Sequence, residues 1–172
     1  LRLLDCSPIS DGVSAVILSS KKSNRKTQIL GFGHAQDTLA LQDRQELGKL
    51  VATQKAAKQA FNQASLSQKD IQAIEVHDCF SIAEILATED LGFFAKGQAA
   101  KAIIKGQTTY GGKLVVNPSG GLKACGHPVG ATGVKQIAYL SSLIEAGQFN
   151  LTLAHNVGGS GATAIVNILG RK

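Results

Sequence analysis

The chain has no methionine, no tryptophan, three prolines and three cysteines, and aromatic residues make up only 5% of it. Each scarcity excludes something. Cys6, Cys79 and Cys125 are too few, and odd in number, for a disulfide framework, which points to a reducing compartment such as the cytoplasm. With two tyrosines and six phenylalanines there is little to stack bases, so the net charge of +6 is not read as a nucleic-acid footprint. Lys21, Lys22, Arg25 and Lys26 make one basic turn, and the other lysines are spread singly along helices, where they would favour approach of a phosphate-bearing small molecule. No apolar run reaches the roughly 20 residues of a membrane span. The lack of methionine, at position 1 as elsewhere, leads to the expectation of a fragment, a processed product or an incomplete record of a longer polypeptide.

What is present is a globular balance: 172 residues, 44% apolar and 17% charged, enough for one well-cored domain. Val13 to Ser20 reads as a buried strand and Thr27 to His34 as its successor. Gly31-Phe-Gly33 is too weak a match to a dinucleotide loop, because no helix opens there. Gln45 to Ala64 has helical period through Leu47, Leu50, Val51, Ala57, Phe61 and Ala64. Ile71 to Val76 alternates as a strand, Ser81 to Leu91 returns to helical period, and Gly92 stops it. A shorter helix over Gln98 to Lys105, a strand at Leu114 to Asn117 and a helix over Thr132 to Ala146 follow. Asn150 to Ala154 and Ala162 to Leu169 are strands joined by a glycine turn. The alternation predicts an α/β domain, a mixed sheet with helical cover that closes in an antiparallel pair.

Three motifs bear chemistry. His77 and Cys79, two apart at a strand end, point to one side, and the helix that opens near Ser81 would favour the Cys79 thiolate. The same residues also fit a buried cysteine beside a strand-terminal histidine. In Gly126-His127-Pro128-Val-Gly130, glycines admit a ligand to the backbone and Pro128 restricts His127, which could donate to an oxyanion, orient a nucleophile or merely cap a helix. His155-Asn156-Val157-Gly158-Gly159 reads alone as a hairpin turn, with a backbone N–H for an oxyanion as the functional alternative.

Glu75-Val-His77-Asp-Cys79-Phe80 with the following SIAEILATEDLGF, then NPSGGLKACGHPVGATG, then LAHNVGGSGA, resemble in that order the carboxy-terminal domain of a thiolase of the sterol-carrier-protein-2 type. HAQDTLALQDR from His34 onward is similar to the same subfamily, and the likeness covers essentially the whole chain. The resemblance implies a five-stranded mixed sheet covered by helices over residues 21–172, with residues 1–20 as the end, a strand, of the amino-terminal domain. It implies Claisen chemistry on coenzyme A thioesters, forming or cleaving a 3-ketoacyl-coenzyme A, acetoacetyl-coenzyme A foremost. Cys79 would be the acid/base. His127 would activate the nucleophilic cysteine and help bind the thioester oxygen, and His77 would stand in that oxyanion hole. Gly158 would offer its N–H to a second hole, with Asn156 where other thiolases carry a cysteine. The nucleophile belongs to the amino-terminal half, so the isolated chain is expected to be inactive without it. The connection Glu145 to Asn150 is shorter than the family usually has. The substrates are thioesters of coenzyme A, no cofactor or metal is implied, and a homo-oligomer is expected of the complete enzyme.

Two other readings compete. His77-x-Cys79 and Cys125-x-His127 could supply a Cys₂His₂ zinc set, although their spacing departs from usual zinc pairs. A noncatalytic thiolase-like partner in a larger assembly is the other. A ketoacyl synthase is disfavoured by His-Asp-Cys-Phe at 77–80.

Overall fold

The computed structural model describes residues 1–21 and 24–171; Lys22 of the expected basic turn lies outside them. Five strands form one sheet in the order β1-β5-β4-β2-β3: β1 (Thr27–Gln36), β2 (Ala73–Glu75), β3 (Val115–Val116), β4 (Leu151–Gly158) and β5 (Thr163–Arg171). β5 lies antiparallel between β1 and β4, whereas β4, β2 and β3 run parallel. The expected five-stranded mixed sheet is therefore present.

Helices cover both faces. α1 (Val51–Ala64), α2 (Ser81–Asp90) and α3 (Ala99–Ile104) enclose the larger core, in which Ala52, Ala56 and Ala60 meet Leu153, Val166 and Ile168. On the opposite face α5 (Thr132–Glu145) buries Leu140, Leu143 and Ile144 against Ala154 and Leu169. The alanine face of α1 lets the helix lie almost on the sheet. A Cβ on Gly33 would run into the carbonyl of Ala56, and one on Gly31 into that of Ala60. Gly31-Phe-Gly33 is thus a strand segment made for close approach, with a bulge just before it at Leu30, and not a phosphate loop.

Several expectations are corrected. α1 starts at Val51 and not at Gln45, with Gly48 in the intervening stretch. Its start is fixed from outside: Asp90 of α2 accepts the Leu50 N–H at 2.7 Å and the Gln54 side chain at 2.8 Å. Val13 to Ser20 forms no strand, and Val13 and Ile17 are 94% and 96% exposed. The free edge of β1, nearest in sequence, is closed to it, because Gln63 and Gln59 of α1 accept the Phe32 and His34 N–H groups at 2.8 and 3.0 Å. β4 does not end at Ala154. His155 to Gly158 continue the strand, and only the residues between Gly158 and Thr163 make the turn. A five-residue helix, α4 (Gly121–Cys125), stands in a stretch to which the sequence pattern assigned no element.

Candidate active site

β2 ends at Glu75, and Val76 to Phe80 carry the chain across the sheet's rim into α2. Three carboxylates tie this crossing to the 117–123 loop. Buried Glu75 accepts the Ser119 N–H at 2.9 Å and its hydroxyl at 2.8 Å, while Lys135 donates to that hydroxyl at 2.7 Å. Asn117, with φ of 49°, accepts the Val76 N–H at 2.8 Å and donates to Glu84 at 2.8 Å. Burial pushes the carboxyls of Glu75 and Glu84 above their ordinary range, against the hydrogen bonds from Ser119 and Asn117. Buried Asp78 accepts the N–H groups of Leu122 at 2.7 Å and Lys123 at 3.4 Å, at the start of α4. Gly121, with φ of 65°, is required there, since a Cβ would strike the Asp78 carboxylate.

This frame holds His77 against His127. Their rings meet edge to face, with centroids 4.7 Å apart and planes at 87°. Nδ1 of His127 lies 2.7 Å from the Thr132 hydroxyl, which in turn lies 3.2 Å from the Pro128 carbonyl. Asn156 of β4 approaches Nδ1 of His77 at 3.1 Å. Strand alternation explains why Asn156 and not His155 reaches the pair. His155 points to the α1 face, fully buried, with Nε2 2.9 Å from the Thr53 hydroxyl. Burial lowers the pKa of His77 to about 4, helped by the neighbouring His127, and that of His155 to about 3, helped by His77. Both are neutral imidazoles at physiological pH.

Cys79 is half-buried two residues beyond His77. The expectation of a favoured thiolate is corrected. Burial pushes the thiol up and the Asp78 carboxylate adds to this, outweighing the Phe80 N–H at the start of α2. Cys79 is a thiol at neutral pH. Gly158 closes β4 opposite Thr163, on the same side of the strand as Asn156. The structure thus unites His77, His127 and Asn156, keeps Cys79 on the His77 crossing and sets Gly158 two residues beyond Asn156.

Sequence reasoning missed the entry segment. Ser7 N–H donates to the Cys79 carbonyl at 2.9 Å, and the next residue, Pro8, accepts the His127 N–H at 3.0 Å. Lys123 donates to the carbonyls of Cys6, at 2.9 Å, and Leu4. A cleft of about 460 Å³ lies between residues 10–14 and 128–131. Also missed were Gln136 and Asp78. A glutamine four residues before Leu140, on the buried side of α5, was the available signal for Gln136. Asp78 caps a helix 43 residues further along the chain and has no local signal.

Among the described residues, no three or more His, Cys, Asp or Glu side chains are grouped to hold a metal ion, and the Cys125 thiol is turned to the Ser119 carbonyl at 3.3 Å. The zinc reading has no cluster to rest on. No helix among them is long and apolar enough to cross a membrane.

A five-stranded mixed sheet with helices on both faces, gathering two imidazoles and an amide at one end, defines an α/β domain with a polar site at the sheet's rim. The chain belongs to the family described as thiolase C-terminal domain-like, whose model matches residues 33–171. It is 47% identical over 183 residues to an acetyl-CoA acetyltransferase of Methanothermobacter thermautotrophicus, covering 99% of this chain and 48% of that protein. It is 37% identical over 182 residues to human sterol carrier protein 2, covering 96% of this chain and 33% of that one. Among solved structures, an Ltp2-ChsH2(DUF35) aldolase superposes with a TM-score of 0.74 at 25% identity, over 84% of this chain and 39% of that one. The chain thus spans from a third to about half the length of these relatives.

Proposed function

We propose that this chain supplies the acid/base and oxyanion-binding half of a thiolase-type acyltransferase that forms or cleaves 3-ketoacyl-coenzyme A, with acetoacetyl-coenzyme A as the first substrate to test. The observation that carries the reading is the edge contact of His77 with His127 at 4.7 Å, joined by Asn156 from a third element. Claisen chemistry needs a proton carrier beside one carbon and fixed donors at the oxygens that gain charge. The relatives named acetyl-CoA acetyltransferase and the family match support the same assignment.

In the cleaving direction, a cysteine of an amino-terminal half attacks the 3-keto carbon of the substrate. The bond between C2 and C3 breaks, its electron pair forms the enolate of acetyl-coenzyme A, and Cys79 gives that carbon its proton. The thiol of a second coenzyme A, its proton taken by the Cys79 thiolate, then displaces the acyl group from the nucleophile. His127, with Nδ1 engaged by Thr132, takes the nucleophile's proton on Nε2 as it attacks and returns it when the acyl group is displaced. His77 faces the thioester oxygen, and Gly158 gives its N–H to the other oxygen. A raised thiol pKa suits Cys79, which starts the cleaving cycle protonated. Residues 1–20 would belong to the amino-terminal domain and 21–172 to the carboxy-terminal one.

The test is reconstitution. The purified chain is mixed with an amino-terminal thiolase half, such as that of the archaeal relative, and acetoacetyl-coenzyme A thiolysis is followed. Turnover should require both parts, and Cys79→Ala should reduce it by about a hundredfold or more, the scale of a lost general acid/base. Full activity of Cys79→Ala, or thiolysis by the isolated chain, would overturn the reading.

A further inference from the structure

Gln136 is fully buried in α5 and makes two bonds whose sense is fixed. Its Nε2 donates to the carbonyl oxygen of His155 at 3.1 Å. A carbonyl only accepts, so the amide cannot be turned over without setting two oxygens against each other. Its Oε1 is therefore the atom that faces Asn156, and Nδ2 of Asn156 meets it at 3.3 Å. The Asn156 amide is fixed in turn. Its second Nδ2 proton is directed at Nδ1 of His77, 3.1 Å away. A ring nitrogen that receives a proton must present its lone pair, and a neutral imidazole has one N–H, which then lies on Nε2.

We infer that Gln136 is a positioning residue which, through Asn156, holds His77 as the Nε2–H tautomer. The inference deepens the reading of His77 as an oxyanion donor and rests on it for its catalytic meaning. The opposite tautomer would turn a lone pair toward the developing negative charge, where a donor is needed. An unrestrained imidazole samples both forms, so a chain of bonds anchored on a backbone carbonyl removes one of them in advance of substrate. The relay spans three elements: α5 carries Gln136, β4 carries both Asn156 and the anchoring carbonyl, and the crossing after β2 carries His77. None of these residues except His77 need touch the thioester.

The readout is the tautomer itself. Ring-nitrogen NMR of the whole chain, labelled with ¹⁵N histidine near neutral pH, should show His77 protonated on Nε2 alone, with His77→Asn identifying its signals among the four histidines. In Gln136→Leu the Asn156 amide loses its orienting acceptor, and the two His77 nitrogen shifts should move toward each other as both tautomers populate. Gln136→Glu keeps an oxygen toward Asn156 in either protonation state and should retain the Nε2–H form. An Nδ1–H tautomer in the unmodified chain, unmoved shifts in Gln136→Leu, or averaged shifts in Gln136→Glu would each overturn the relay. If Gln136→Leu does not fold, Asn156→Asp decides: a carboxylate there accepts from Nδ1–H, so Nδ1 should become protonated, and an Nδ1 left without a proton would refute the inference. In the reconstituted enzyme, kcat of Gln136→Leu should fall by the factor by which the Nε2–H population falls, with KM unchanged. The spectrum needs no turnover, so a reconstituted enzyme without thiolysis would remove the acyltransferase reading and leave the relay intact.

Discussion

Burial, seconded by the Asp78 carboxylate, sets Cys79 against ionisation, although the opening of α2 stands beside it. In the proposed cycle both directions start from the Cys79 thiol, which gives its proton to C2 in cleavage and to the departing coenzyme A thiolate in condensation. Both rates should therefore decline as pH approaches the raised value. A rate in either direction that keeps climbing as Cys79 ionises would contradict the assignment. Asp78 has a second duty, because its two oxygens take the N–H groups of Leu122 and Lys123. Asp78→Asn keeps one acceptor and loses the charge, and should cost about 1.5–3 kcal/mol in urea unfolding. His77 and His127 were legible because each stands among glycines or at a strand end with reactive neighbours. The Asn156 contact was not, since it depends on β4 continuing past Ala154 to a residue 79 positions after His77.

The elements follow the sequence pattern wherever local forces decide them. α2, α5 and β1 begin at the expected residues, because period and stop signals act within a few residues. α1 departs at its start, where Leu47 is exposed and the capping acceptor comes from Asp90, 40 residues from Leu50. The apolar run Val13 to Ser20 has strand composition, but strand formation needs a free edge, and Gln59 and Gln63 occupy the near one. The α1–β1 contact supplies a sharp test. Gly33→Ala puts a methyl against the Ala56 carbonyl and should destabilise by about 1–3 kcal/mol, measured as a lower urea midpoint. Gly48→Ala, with open space at its Cβ, should do no harm.

Over the whole molecule, the two buried neutral imidazoles link fold to pH. His77 and His155 bind protons at about 4 and about 3 when folded, well below the ordinary histidine value of 6.5. The unfolded chain therefore takes up protons first, and stability present above 6.5 is lost as pH falls below it. Glu75 and Glu84, raised when folded, act in the opposite sense, since the folded chain takes up their protons before the unfolded one. Unfolding free energy should drop by about 2 kcal/mol from about pH 7.5 to about pH 5.5; a level or rising profile in urea titrations would contradict the burial of these rings. Leu1, Leu3, Leu4, Ile9, Val13, Ile17 and Leu18 stand exposed along the segment that also holds Ser7 and Pro8. Those two neighbours grip the Cys79 carbonyl and the His127 amide, which belong to loops nearly 50 residues apart. Ser7 and Pro8 thus work as a single hinge pin through both loops. Any displacement of the entry segment would therefore be passed to the Cys79 and His127 loops together.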